Sequence, residues 1–252
     1  MRFLVSNDDG IYAEGINALR KALEELGEVT VVAPDRERSA TGHGITVTRP
    51  LRAKEINYEN STTKGYAVDG TPADCVKLGL EAIMETPPDI VISGINLGPN
   101  LGTDVLYSGT VSAAYEGVIN GVPAMAVSIN TWKNPDFTHA VEFLKEYISE
   151  AVKYQIPRGV VLNINIPNGV KPKGVRLSRL GYRRYIDVFD KRTDPRGRTY
   201  FWMAGEPENL DEDDPETDVN AIKEGYISIT PIQTDVTHYP FLEEMKLWPL
   251  HK

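Results

Sequence analysis

The chain carries one cysteine in 252 residues, Cys75, so no disulfide can form within it. A lone thiol fits a reducing compartment, and the cytoplasm is the expected location. Histidine is scarce as well: His43, His139, His238 and His251 are widely spread, and without a closely spaced His or Cys pair a zinc site has no support. His139 falls in an amphipathic stretch and reads as a surface residue. No window approaches the ~18 consecutive apolar residues of a membrane span. The N-terminus turns polar after Phe3-Leu-Val5, so neither a transmembrane helix nor a signal peptide is expected. The signatures G-x-x-x-x-G-K-[ST], G-x-G-x-x-G after the first strand, and G-x-S-x-G are all missing, which excludes nucleoside triphosphate hydrolysis by a P-loop. With 27 Lys and Arg against 36 Asp and Glu, the net charge is −9. An acidic balance excludes indiscriminate binding of nucleic acid, so neither a stable nucleic-acid partner nor a membrane is expected, while small phosphorylated ligands remain open to local backbone donors and a metal.

What is present is an ordinary globular composition, 41% hydrophobic and 25% charged, in a length that suits one large domain or one domain with an appendage. Short β-branched runs alternate with helical periods. Strands are expected at 2–6, 28–33, 89–93, 124–128 and 160–166, and helices at 13–26, 72–85, 109–120 and 136–154. The last helix shows Phe137, Val141, Leu144, Ile148 and Ala151 on one face. This alternation predicts an α/β fold with a mostly parallel sheet and helices on both faces. The pattern breaks near residue 173, so residues 1–173 form the expected core and 174–252 a separate C-terminal region. There Arg176, Arg179, Arg183, Arg184, Lys191, Arg192, Arg196 and Arg198 fall among aromatics and an acidic stretch follows, with no sustained period until a strand at 226–232 and a helix at 239–247. A solvated irregular surface and an extended arm that pairs with another subunit are both open readings.

Chemistry-bearing residues gather where strands end, the edge at which open α/β sheets bind ligands. Ser6-Asn-Asp-Asp-Gly10 follows the first strand, and Asp8 and Asp9 converging in a cleft would want a hard cation such as Mg²⁺, Mn²⁺ or Ca²⁺. An acidic turn with Gly10 at positive φ is the competing reading. The second strand runs into Ala33-Pro-Asp-Arg-Glu-Arg-Ser-Ala-Thr-Gly-His43, with Ser39 among its hydroxyls. A salt-bridged surface turn is the alternative there. The 89–93 strand leads into Gly94 to Asp104, whose three glycines, one proline and the asparagines Asn96 and Asn100 argue against a regular element. Ser108-Gly109-Thr110 then opens a helix whose free N–H groups suit an anion, which makes these three residues and Asn100 the expected phosphate contacts. Ser108 or Thr110 as a plain N-cap is the competing reading.

Ser6-Asn-Asp-Asp-Gly10, the 33–43 loop, Gly70-Thr-Pro-Ala-Asp-Cys-Val76, Ser93-Gly-Ile-Asn-Leu-Gly-Pro-Asn100 and Ser108-Gly-Thr-Val-Ser-Ala-Ala114 together resemble the SurE family of stationary-phase survival nucleotidases. Gly225-Tyr-Ile-Ser-Ile-Thr-Pro231 is similar to its C-terminal part, while 182–218 is less diagnostic. The resemblance implies a Rossmann-like core, an extended β-rich C-terminal arm and assembly into a homodimer or homotetramer. It also implies a phosphomonoesterase acting on nucleoside 5′-monophosphates, with 3′-monophosphates an open alternative. One divalent metal ion per subunit, Mg²⁺ or Mn²⁺, would be held by Asp8, Asp9, Ser39 and Asn96, with Asp8 and Asp9 as the catalytic pair. Direct attack by water is favoured, because the Asp-x-Asp spacing of aspartyl-phosphate enzymes is absent: Gly10 lies two residues after Asp8. A non-catalytic nucleotide sensor and a glycosyltransferase-like enzyme are the other readings of the same residues.

Overall fold

The first strand, β1 (Arg2–Ser6), is apolar through Phe3, Leu4 and Val5 and lies near the middle of a nine-stranded sheet, flanked on both sides by parallel partners. In chain order there follow α1 (Glu14–Glu24), β2 (Glu28–Pro34), β3 (Ala53–Asn57), β4 (Lys64–Val68), α2 (Pro72–Leu78), β5 (Ile90–Leu97), α3 (Gly109–Ile119), β6 (Ala124–Asn130), α4 (Thr138–Ala151) and β7 (Val160–Pro167). The C-terminal region adds β8 (Val175–Leu177), β9 (Arg183–Ile186), β10 (Phe189–Thr193), β11 (Thr199–Met203), β12 (Glu206–Asn209), α5 (Asp218–Lys223), β13 (Ile227–Gln233) and α6 (Tyr239–Met245). The computed structural model describes residues 1–151, 153–154, 156–186 and 188–249. Val152 of the helix expected over 136–154, and His251, lie outside the described residues.

The sheet order is β3-β4-β2-β1-β5-β6-β7-β13-β8, parallel except where β13 meets β7 and β3 meets β4. Ile16, Leu19 and Leu23 of α1 and Leu144 and Ile148 of α4 are fully buried on one face of the sheet. Cys75 and Val76 of α2 and Val111, Ala113 and Ala114 of α3 fill the other. Each such Leu or Ile contributes ~1.5–3 kcal/mol by leaving water. On α3 the small residues do a different job: a Cβ at Gly117 would come within 3.0 Å of Val91, so the helix axis sits close on β5. Both faces of the sheet are therefore covered by helices, an α/β fold.

Several elements depart from the sequence expectation. The helix expected over 72–85 is α-helical to Leu78 and then widens into a π-helical turn over Gly79–Ile83, where Gly79 sits against Leu4 and Val32 of the sheet. The strand expected to end at Ser93 continues to Leu97 after a register shift, so Asn96 lies in a strand and pairs laterally with Ser128. Within the loop that follows, Gly102–Leu106 form a 3-10 turn. β3 and β4 were not expected. β3 is an almost wholly exposed edge strand, so it has no apolar alternation to reveal it.

The region 173–218, read as lacking any period, contains five strands. β9 pairs antiparallel with β12 and β10 with β11, forming one long two-stranded ribbon whose tip turns at Asp194–Arg198. Both faces of such a ribbon meet solvent in one chain, which is why no inside-outside alternation is written into it. β13 then returns to the central sheet beside β7.

The ribbon's base is tied to the core by one carboxylate. Asp218, fully buried, accepts from Gly102 N at 2.8 Å and from Gly181 N and Val219 N at 2.9 Å. Burial raises its pKa, opposed by those three N–H groups. Gly102 has φ +53°, and a Cβ there would lie 2.4 Å from the Gly181 carbonyl oxygen. Arg183 of β9 reinforces the joint through Asp104 at 2.5 Å. Asp218→Ala, which leaves three N–H groups buried without an acceptor, is expected to lower stability by about 2–4 kcal/mol in urea unfolding and to speed hydrogen exchange at Gly102 and Gly181. Unchanged exchange at both amides would show that the carboxylate does not hold the joint.

Candidate active site

β1 ends at Ser6, and buried Asn7 closes the turn that follows. Its Oδ1 accepts from Gly10 N at 3.2 Å and its Nδ2 donates to Gly10 O at 3.0 Å. Gly10 takes φ +97° and has the Arg36 backbone 3.0 Å from where a Cβ would be, so only glycine fits this turn. The turn presents Asp8 and Asp9 at the carboxyl edge of the sheet in different directions.

Asp8 turns toward the start of α3. It is buried, accepts the Thr110 hydroxyl hydrogen on Oδ1 and lies beside the backbone of Gly109 and Thr110. Burial raises its pKa against this bond. Asp9 turns toward β5, where Leu97 N donates to its Oδ2 at 3.1 Å. Burial, then the neighbouring Asp8 charge, push the Asp9 carboxyl up to about 6, with the Leu97 N–H opposing and Glu37 adding to the rise. Two carboxylates taken out of water side by side form a site that gains from a cation.

The other proposed ligands come from the loops that touch this pair. Arg38 N donates to Asp8 O at 2.7 Å, fixing the 35–44 loop beside the acidic turn. On that loop Ser39 is exposed and donates its hydroxyl hydrogen to Glu37 Oε1 at 2.7 Å, so its lone pairs stay available. Asn96 donates Nδ2 to Gly98 O at 2.7 Å, and among the described residues no donor engages its Oδ1. Two carboxylates, one amide oxygen and one hydroxyl are all hard oxygen donors, the set that Mg²⁺ and Mn²⁺ prefer. Among the described residues no group of three or more His, Cys, Asp and Glu gathers.

The residues expected to receive phosphate lie at the start of α3 and in the loop before it. Asp8 sits at the first turn of that helix, against Gly109 and bonded to the Thr110 hydroxyl, because α3 follows β5 and β5 lies directly beside β1. A carboxylate there faces the positive end of the helix. Ser108 caps α3: its Oγ accepts from Val111 N at 3.1 Å, which leaves its own hydrogen free to donate. Asn100 is held from below. Its N donates to Asn165 Oδ1 at 2.8 Å, its O accepts from Asn163 Nδ2 and Asn165 Nδ2, and its Nδ2 donates to Ser128 Oγ at 2.7 Å. One amide hydrogen of Asn100 remains.

The supporting residues were missed in the sequence. Asn163 and Asn165 stand at alternate positions of an otherwise apolar strand, and polar residues at period two on a buried face were the available signal. His43, noted only as an isolated histidine, pairs through Nε2 with Glu116 Oε2 at 3.0 Å and stacks on Tyr115, pinning the Ser39 loop to α3. No motif spacing links residues 43 and 116.

An open, mostly parallel sheet with paired carboxylates, an amide and a hydroxyl near its carboxyl edge defines an α/β protein with a cluster of oxygen donors where such sheets bind ligands. The chain belongs to the SurE family: the family model described as Survival protein SurE matches residues 3–187. A relative named 5′-nucleotidase SurE from Desulforamulus reducens is 61% identical over 249 residues, covering 98% of each chain. Another of the same name from Pelotomaculum thermopropionicum is 65% identical over 246 residues, covering 98% of this chain and 94% of the relative. The crystal structure of the SurE protein from Aquifex aeolicus superposes with a TM-score of 0.85 at 43% identity, covering 98% of both chains.

A Cβ at Gly109 would lie 2.7 Å from Asp8 Cβ and 2.9 Å from its Oδ2. Gly109→Val should therefore displace Asp8 and weaken Mn²⁺ binding about 10- to 100-fold, the cost of disturbing a ligand's support, with helix content by circular dichroism preserved. Unaltered Mn²⁺ affinity by titration calorimetry would show that the Gly109–Asp8 contact does not set the site.

Proposed function

We propose that this chain hydrolyses nucleoside 5′-monophosphates to nucleoside and inorganic phosphate, using one divalent cation, Mg²⁺ or Mn²⁺, held by Asp8, Asp9, Ser39 and Asn96. The observation that carries the reading is the convergence of two partly desolvated carboxylates with the Asn96 strand at the sheet's carboxyl edge. The relatives' shared name, 5′-nucleotidase, supports the substrate class. When bound, the cation supplies positive charge for the phosphoryl oxygens and eases deprotonation of a water.

The chain's own groups do the rest. Gly109 and Thr110 hold Asp8 in one orientation, and Leu97 N–H does the same for Asp9. The free Ser108 hydroxyl hydrogen and the remaining Asn100 amide hydrogen are the donors aimed at the phosphate, with Gly109 and Thr110 acting on it through Asp8. Water attacks phosphorus, the ester P–O bond breaks, and the proton released by the water ends on the leaving ribose oxygen. The same site accepts 3′-monophosphates if the ribose can turn, which a nucleotide panel tests directly.

Among the described residues no helix is long and apolar enough to cross a membrane. We place the protein in the cytoplasm, in keeping with its one thiol, Cys75, being buried and unpaired.

The ribbon is the proposed contact with a second copy, in a dimer or tetramer. Phe189, Phe201, Trp202 and Met203 are each more than half exposed on it, and a two-stranded ribbon lacks the buried area to hold its shape alone. Residues 1–173 are correspondingly the catalytic unit and 174–252 the assembly region. Light scattering should give a mass of two or four chains, reduced by Trp202→Asp together with Phe201→Asp. A monomer of full activity would refute this role.

Asp8→Asn and Asp9→Asn should each cut phosphate release from nucleoside monophosphates by at least about 100-fold, and EDTA should abolish it reversibly on return of Mg²⁺ or Mn²⁺. Full turnover in EDTA sinks the cation reading. Tight nucleotide binding without any phosphate release would instead make the chain a nucleotide sensor.

A further inference from the structure

We propose that Trp132 is the platform on which the substrate's nucleobase stacks; the inference rests on the nucleotidase reading and assigns the part of the substrate that the acidic site leaves unheld. Trp132 follows β6, whose carboxyl end stands beside that of β5. A tight turn carries it. Thr131 Oγ donates to Lys133 O at 2.6 Å and accepts from Lys133 N at 3.2 Å, and Asn134 adopts φ +50°.

The indole is 71% exposed, yet it is not loose. The Cε3-Cζ3-Cη2 side of its six-membered ring lies against Gly98, so closely that a Cβ there would be 2.2 Å from Cζ3 and 2.4 Å from Cη2. The Gly98 backbone is itself fixed: its N donates to Ile129 O at 3.2 Å, and its O accepts from Asn96 Nδ2 at 2.7 Å. One side of the ring is thus braced by backbone while most of the residue remains open to solvent. Fixing the ring before a ligand arrives removes most of the rotamer entropy that stacking would otherwise cost.

Position selects the occupant. Gly98 is two residues beyond Asn96, at most about 7 Å of chain, and the intervening Leu97 N–H holds Asp9. A phosphate at the acidic site therefore leaves its nucleoside within reach of the indole. The immediate chain neighbours Thr131, Lys133 and Asn134 are polar, so Trp132 does not continue into an apolar run of the kind the ribbon carries. A flat π-face with a polar surround suits a nucleobase, and since every base has such a face the platform tolerates several bases.

The test compares a substrate that has a base with one that lacks it. In Trp132→Ala the ratio of kcat/KM for adenosine 5′-monophosphate to that for ribose 5-phosphate should fall at least about 10-fold, and Trp132→Phe should restore most of it. In the Trp202→Phe/Trp248→Phe background, Trp132 is the one remaining tryptophan, and adenosine should quench its fluorescence saturably. Equal losses on both substrates, or no quenching, overturn the platform. Failure of the wild-type chain to cleave either phosphate would strike the hydrolase reading instead, and the adenosine titration still decides the stacking.

Discussion

The Asp8 carboxylate seated on the first turn of α3 is the contact from which the site is built. A helix start exposes N–H groups that need an acceptor, and a carboxylate at the end of a buried strand needs donors. The two meet here: the Thr110 hydroxyl goes to Asp8 Oδ1, and the carboxylate sits against Gly109 at the positive end of the helix. The match requires residue 109 to lack a side chain, since a Cβ would occupy the carboxylate's place. With Asp8 fixed against α3, the Asn7–Gly10 turn sends Asp9 to the other side, onto the Leu97 N–H of β5. Adjacent acids in the chain are thereby held by two different elements, Asp8 by α3 and Asp9 by β5.

Beneath this edge the sheet interior is polar where a sheet of this kind is ordinarily apolar. Asn96, Ser128, Asn165 and Ser228 lie in register across β5, β6, β7 and β13, and all four are buried. Such groups are costly when unmet and add little net stability when met. Their effect is on geometry: Asn163 and Asn165 clamp the Asn100 main chain, and Ser128 takes its side chain. Ser228 Oγ and Asn163 Oδ1 find no partner among the described residues, so the row is not there for hydrogen-bond energy alone. It sets the path of the loop that carries Asn100 toward Ser108.

What the sequence reveals follows from what burial imposes on it. β1, β2, β5, β6 and β7 are covered on both faces, so each is a near-continuous apolar run that stands out against amphipathic helices. Carboxylates directly after such a run are conspicuous, and the Asp8-Asp9 turn at the end of β1 was legible for that reason, whereas Asn96 lies inside β5, beyond the bulge where the apolar run breaks. The helix start at Ser108 was legible as an anion site because that is a local property of the backbone. The contact of that helix start with Asp8 was not, since Asp8 lies about a hundred residues away in the chain and only the strand order β1-β5 brings them together. The ribbon was illegible for the opposite reason to the core strands: its residues face solvent on both sides in one chain, leaving no period to read.

The same loop that ends at Ser108 is gripped at Gly102 by Asp218 and at Asp104 by Arg183, both at the base of the ribbon. Thr103 adds a third tie through its hydroxyl to Arg183 O at 2.5 Å. Between this grip and the phosphate end there is only a 3-10 turn and Tyr107, whose carbonyl accepts from Gly42 N in the Ser39 loop at 3.1 Å. The ribbon base is therefore linked through hydrogen-bonded backbone to both Ser108 and the loop bearing Ser39. A surface that at first looks like an appendage is thus tied, through one short loop, to the residues around Asp8.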